Sequence, residues 1–263
     1  MMHCYRKLSG SVLLVAALAV TSAPVAAATI SDSFTGTAPS AYWSVLQDAP
    51  AQLWLEQDDR INVLSSAAGS ASNDAIYLSD GASGFRLRTD SDFVITIDYD
   101  VTTFTGSGLI ALNLGVGNDL DGQDSAAIGF VCSSNPLLNQ LLVPAYRIND
   151  VETSVPMVPV ASSGTLLVQY DSAVDILTLG LDDGISFHRV KLPGLVRTTW
   201  NATSLWVAFG ARGQGLVFSS GDATLDNLTI NGHFTAVPEP ATLAMILAGG
   251  ALAMLRRRRS RRS

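Results

Sequence analysis

Cysteine is nearly absent: Cys4 and Cys132 are the only two in 263 residues. Cys4 precedes an export-type apolar stretch, so the body of the chain keeps one thiol and can close no internal disulfide. Its core alone must hold it together. Glutamate is as scarce, with Glu56 and Glu152 the only two ahead of Glu239. The acids two or four positions away from them are Asp58 beside Glu56, which falls in an expected turn, and Asp150 beside Glu152, which follows Asn149 at the end of an apolar run. His188 and His233 stand alone, so no His/Cys cluster has zinc spacing. No Gly-x-Ser-x-Gly occurs to seat a nucleophilic serine. Helical periodicity is missing as well: no body segment keeps apolar residues at helical spacing for more than about two turns, Pro136 to Leu142 being the nearest case. Positive charge is thin. Setting aside the two basic residues near the N-terminus and the six basic and one acidic residue from Pro238 onward leaves 8 basic and 22 acidic, a formal charge of −14. Such a body repels nucleic acid and anionic membrane surfaces.

What is present at the two ends is specific. Arg6 and Lys7 precede the apolar run Val12 to Val20, and Pro24 is followed by Ala26, Ala27 and Ala28. This is the layout of a secretory signal peptide, with Ala26 and Ala28 as the small pair that a signal peptidase reads, so cleavage is expected after Ala28. The C-terminus combines Val237, Pro238, Glu239 and Pro240 with an uncharged run from Ala241 to Leu255 and then Arg256, Arg257, Arg258, Arg259, Arg261 and Arg262. The prolines cannot join a ladder or a helix interior and hold Glu239 extended and accessible. A 15-residue helix from Ala241 to Leu255 reaches about 22 Å, against a hydrocarbon core of about 30 Å. The arginines place its far end on the cytoplasmic side, which puts the preceding chain outside.

This tail resembles the PEP-CTERM sorting signal of Gram-negative bacteria. The resemblance implies recognition and removal by an exosortase-type enzyme, transient residence in the inner membrane, and delivery to the cell surface or beyond. Three segments follow: a signal peptide over 1–28, a sandwich domain over 29–236 and the sorting signal over 237–263, with a helix expected in each terminal segment.

Between these ends the chain reads as strands. Phe93, Ile95, Ile97, Tyr99 and Val101 share one face of a period-two run. Similar runs are Trp54 to Glu56, Arg60 to Leu64, Phe85 to Leu87, Leu109 to Leu114, Ala126 to Val131, Leu142 to Ile148, Thr165 to Tyr170, Ile176 to Leu181, Ser186 to Lys191, Leu205 to Gly210 and Ala223 to Ile230. Gln57-Asp58-Asp59, Asp171-Ser172-Ala173 and Asp182-Asp183-Gly184 are turn signals between them. The expected class is all-β, an antiparallel two-sheet jelly-roll sandwich. An immunoglobulin-type sandwich is about half the needed size. Phe34, Tyr42-Trp43, the Trp54 to Val63 pair, Phe85 and the long strand at Phe93 resemble the opening of concanavalin A-like lectin and glucanase jelly rolls. Gly164 to Asp171, Asp175 to Gly184, Leu205 to Gly210 and Ala223 to Ile230 are similar to their second half.

The enzymes of that fold need two carboxylates at a fixed separation, and the pattern for such a pair is missing here. Asp98 and Asp100 alternate on one strand but oppose its apolar face, as a solvated face does. Asn118 to Asp124 has the oxygen-rich composition of a calcium loop without EF-hand spacing, which makes Asp119, Asp121 and Asp124 calcium candidates beside the plainer reading of a turn; no other cofactor is expected. Trp43, Trp54, Trp200 and Trp206 suit either sugar stacking or core packing. The expected function is a non-catalytic exported surface or matrix protein associated with exopolysaccharide. A carbohydrate-binding lectin module is the alternative, and a secreted glycoside hydrolase the third reading.

Overall fold

The computed structural model describes residues 27–66, 72–155 and 157–236. The two expected terminal helices, and Ala26, Val237 to Pro240 and the arginine cluster with them, lie outside these residues. Among the described residues eighteen strands follow in chain order: β1 (Ala28–Asp32), β2 (Ser44–Gln47), β3 (Leu53–Gln57), β4 (Ile61–Ser65), β5 (Asn73–Leu78), β6 (Phe85–Arg88), β7 (Phe93–Val101), β8 (Thr105–Gly117) and β9 (Ser125–Ser133). The second half holds β10 (Leu141–Ile148), β11 (Val151–Ser154), β12 (Val158–Pro159), β13 (Ser163–Asp171), β14 (Ile176–Asp182), β15 (Phe187–Pro193), β16 (Ser204–Val217), β17 (Ala223–Gly232) and β18 (Phe234–Ala236). One π-helical turn, Leu195–Thr199, interrupts them.

The strands form two antiparallel sheets. An eight-stranded sheet runs β15-β14-β13-β7-β17-β4-β3 with β1 beside β17, and a ten-stranded one runs β11-β10-β9-β8-β16-β5-β2 with β12, β6 and β18 attached. Period-two alternation sends one set of side chains inward from each sheet. From β7 these are Phe93, Ile95, Ile97, Tyr99 and Val101; from β8 and β9 they include Ile110, Leu112, Leu114, Ile128 and Phe130, all buried. Tyr99 stacks on Phe130 at 4.5 Å between centroids, which joins the two sheets directly. A second aromatic cluster centres on Phe209, with Trp43 at 4.9 Å, Tyr77 at 5.3 Å and Phe34 at 5.6 Å. Cys132 is buried and unpaired in the same layer. Burial pushes its thiol up to about 12, the behaviour of an inert packed group.

The expected strands and turns are present, with extensions. The run expected to stop at Gly210 continues as β16 to Val217, because glycine admits a close neighbour strand. A Cβ at Gly210 or Gly213 would collide with the backbone of Ala75 or Leu109, and Gly215, at φ 77, serves a bulge between Gln214 and Leu216. Pro136 to Leu142, the most helix-like run, is a turn leading into β10. Strands β1, β2, β5, β11, β12 and β18 were not expected. Asp98 is tied down rather than freely solvated: its carboxylate accepts hydrogen bonds from Thr165 Oγ1 at 2.6 Å and Asn227 Nδ2 at 3.0 Å.

Two aspartates hold irregular backbone that no strand pattern marks. Asp32 accepts from Phe34 N at 2.8 Å, Ser40 Oγ at 3.1 Å and Trp43 Nε1 at 3.1 Å. It thereby seats Phe34 in the core at a left-handed φ of 52. Asp175, also left-handed at φ 53, is buried and accepts from Tyr170 Oη at 2.9 Å, Arg197 N at 3.0 Å, and Thr198 N and Oγ1 at 3.0 and 2.9 Å. Burial by itself would raise the Asp175 carboxyl, but these donors outweigh it and hold it below the usual carboxylate range. Asp175→Ala leaves those donors unpaired and strains position 175, a cost of about 3 kcal/mol in denaturant unfolding. A depressed carboxyl pKa contributes stability above the unfolded-state value of about 3.9 and loses it as pH falls through the folded-state value. The gap between wild type and variant is therefore expected to be constant above about pH 5 and to narrow in more acidic solution.

Candidate functional site

The outer face of the ten-stranded sheet is a groove of about 860 Å3. Its depth comes from small outward-facing residues brought side by side by strand register. Ala145, Ala127, Gly115 and Ala208 are successive cross-strand partners on β10, β9, β8 and β16, with Leu78 of β5 completing the row. The adjacent row is Val143, Gly129, Asn113, Gly210 and Ile76. The floor thus lies close to backbone level and is largely aliphatic. Leu46, Leu109, Leu120 and Met157 line the groove and are exposed, making an apolar patch of the kind that marks binding surfaces.

Polar groups are few and placed. Asn113 sits between two glycines, where a side chain at Gly129 would run into its amide oxygen. The buried amide oxygen of Gln214, also lining the groove, has no hydrogen-bond partner among the described residues. Trp206 lies half-buried at one end beneath the Arg86 guanidinium, 4.7 Å from its ring centroid. Arg86 is fixed there by the carbonyls of Asn118 and Ser204 at 2.8 and 2.9 Å. An apolar trough with a few convergent polar groups is the usual form of a small-ligand site.

Two of the carboxylates lining the groove are engaged by cations. Asp74 lies 3.5 Å from Arg212, and Glu152 lies 2.9 Å from Arg147. Burial raises the Asp74 carboxyl, Arg212 lowers it, Asp48 raises it further, and the net shift is upward. Glu56 is on β3 of the eight-stranded sheet and Glu152 on β11 of the ten-stranded one, so the two body glutamates do not meet.

The calcium candidates divide. Asp119 spends its oxygens on the backbone N–H groups of Gln123 and Asp124 at 2.9 and 3.1 Å, and Asp124 accepts from Asn149 N at 2.9 Å. Asp121 lines the end of the groove. These bonds are those of a turn, and among the described residues no three His, Cys, Asp or Glu side chains gather to hold a metal ion. The tryptophans divide too. Trp43 and Trp200 are core residues, with Trp200 Nε1 donating to Arg147 O at 3.0 Å, whereas Trp206 faces the groove. Asn113, Gln214 and the Arg86 platform carried no mark in the linear sequence, because register across four strands assembles them. The one available signal was the alternation of small residues along β8 and β9.

Ala28, the described member of the expected signal-cleavage pair, opens β1 and pairs with Gly232. At the other end Ala236 closes β18, the last described strand, opposite Phe85.

A PEP-CTERM protein-sorting motif is matched at residues 236–259. No curated protein matches the chain. Among solved structures, a non-specific endo-beta-1,3(4)-glucanase superposes with a TM-score of 0.53 at 9% identity, covering 79% of this chain and 91% of that one. An endo-1,3-beta-glucanase from Streptomyces sioyaensis gives 0.51 at 11% identity, covering 80% and 97%. Peanut lectin gives 0.49 at 11%, covering 81% and 99%. The chain is therefore an exported protein that joins a sandwich with the jelly-roll fold of these two glucanases to a PEP-CTERM sorting tail.

Proposed function

We propose that this protein is a non-catalytic cargo of the cell surface or extracellular matrix, delivered through its tail and associated with polysaccharide through the groove. The observation that carries the reading is the sorting motif beginning at residue 236, where the last described strand ends. Signal peptidase acts on Ala26 and Ala28, and an exosortase-type enzyme acts on the segment Val237 to Pro240. The arginine cluster fixes orientation during the transient stay in the inner membrane. The aliphatic floor, Trp206 and the amides of Asn113 and Gln214 suit the faces and hydroxyls of a glycan. The non-catalytic part is supported by the arginines that occupy Asp74 and Glu152, and by the separation of the two body glutamates between sheets. Calcium has no role in this reading.

Two outcomes are expected. In a host with an exosortase-type enzyme, antibodies to the sandwich and to a C-terminal tag should part company on fractionation. Glu239→Ala, which removes the specific side chain between Pro238 and Pro240, should keep both in the inner membrane; co-fractionation of both signals in the wild type as well contradicts the sorting role.

Detergent-solubilised full chain should also co-sediment with the neutral exopolysaccharide of the producing cells without releasing reducing ends, and Trp206→Ala should weaken that binding by about tenfold. Reducing-end release that disappears in Asp74→Asn contradicts the non-catalytic reading.

A further inference from the structure

The strongest unassigned feature lies on the opposite side of the molecule, on the outer face of the eight-stranded sheet. The body has few cations, and five of its eight basic residues are committed. Arg88 pairs with Asp90, Arg147 with Glu152 and Asp150, Arg197 with Asp175, and Arg212 with Asp74. Arg86 is held by two carbonyls. Arg60, Arg189 and Lys191 have no ion-pair partner among the described residues. Two of these three stand together. Arg189 and Lys191 are alternate residues of β15, exposed on the same face about 7 Å apart along the strand. In a body of formal charge −14, two neighbouring cations without an ion pair among the described residues stand out, with Asp171 in the same hollow and Asp182 in register with Phe187.

The strip has an aromatic member and a wall. Phe187, the preceding residue on that face, is exposed, and its ring leans across the strand over Gly180. A Cβ at Gly180 would lie 3.2 Å from the ring Cζ, so glycine is what lets the ring lie down on the sheet. Register places Gly180 beside Arg189, and Thr178 and Gln169 in line with Lys191. Phe187, Arg189 and Lys191 line a hollow of about 170 Å3 together with Gln169, Asp171, Ile176 and Thr178. Asp171 stands at the end beyond Lys191, away from Arg189, and one of its oxygens accepts from Ala173 N at 3.0 Å.

We infer that this strip on β15 is a binding site for an anionic glycan, with a sugar ring against Phe187, its carboxylate between Arg189 and Lys191, and its hydroxyls at Gln169, Thr178 and Asp171. The chemistry selects that class. Guanidinium and ammonium groups form charge-assisted hydrogen bonds with a carboxylate. An amide, a hydroxyl and a second carboxylate offer the mixed donors and acceptors that sugar hydroxyls need. The exposed ring face supplies apolar contact. An extended anionic membrane would meet the whole negative body. A flexible polyuronate can lay one sugar unit on the strip while the rest of its chain stays beyond the Debye length of about 8 Å at physiological salt. The site uses no residue of the groove, so it stands or falls separately from the groove's role.

The test uses detergent-solubilised full-length chain at physiological ionic strength and polygalacturonate as the probe, with neutral dextran and phosphatidylglycerol vesicles as parallel arms. The wild type is expected to bind polygalacturonate. The double variant Arg189→Gln/Lys191→Gln should bind it at least about tenfold more weakly. Phe187→Ala should weaken it as well. All three positions are exposed, so both variants should melt with the wild type. Trp206→Ala should leave polygalacturonate binding unchanged, which separates failure of the groove from failure of this site. The inference is overturned if the folded wild type does not bind polygalacturonate, if the double variant binds as the wild type does, or if the vesicles are preferred to polygalacturonate.

Discussion

Everything in this sandwich depends on one apolar layer between two sheets. With a single thiol in the body there is no covalent staple, so the contact of β7 with β8 and β9, and the aromatic cluster around Phe209, must supply the stability. That constraint spends one side of every central strand. Alternation then frees the other side, and the two outer faces have taken different characters. On the ten-stranded sheet, Ala and Gly at facing positions hollow out a trough. On the eight-stranded sheet, polar residues such as Asp98, Thr165 and Asn227 bond to one another across strands, until the edge strand β15 raises its cations and Phe187.

The chain's ends fit the same plan. β1 pairs with β17 over Ala28 to Asp32, and β18 pairs with β6 over Phe234 to Ala236. Loss of a leader after Ala28 removes one residue from the edge of a sheet, and loss of a tail after Val237 removes none of the described strands. Both cuts would leave nearly all of these pairings in place, because the terminal strands are held by neighbours far away in sequence. The separation of charge also has a use: the cationic cluster sits wholly in the tail, so trimming would leave a strongly acidic body with no reason to stay at an anionic membrane.

The fold was legible in the sequence where alternation was strong and long. β7, β13, β14 and β17 could be read directly, as could the turns at Asp59 and Gly184. Strands of two to six residues escaped when their composition looked like a turn, as Asn73 and Asp74 at the start of β5 did, or when pairing alone makes them strands, as with β1 and β18. Phe34 and Asp175, both left-handed, depend on hydrogen bonds that have no periodic signature. The groove was the least legible feature. Gly115, Ala127, Ala145 and Ala208 are unremarkable in one dimension and become a floor only in register. The linear reading treated the four tryptophans alike, and packing then divided them, burying Trp43 and Trp200 while turning Trp206 outward.

The central claim is that the exported, working form is the sandwich freed from both targeting segments. Its most direct test is the intact mass of the protein recovered from the cell surface or medium of the native host, together with its terminal peptides. The account predicts a chain that begins at Thr29 and lacks everything after about Val237. A surface form that retains residues through Ser263, or one that still begins at Met1, would contradict it.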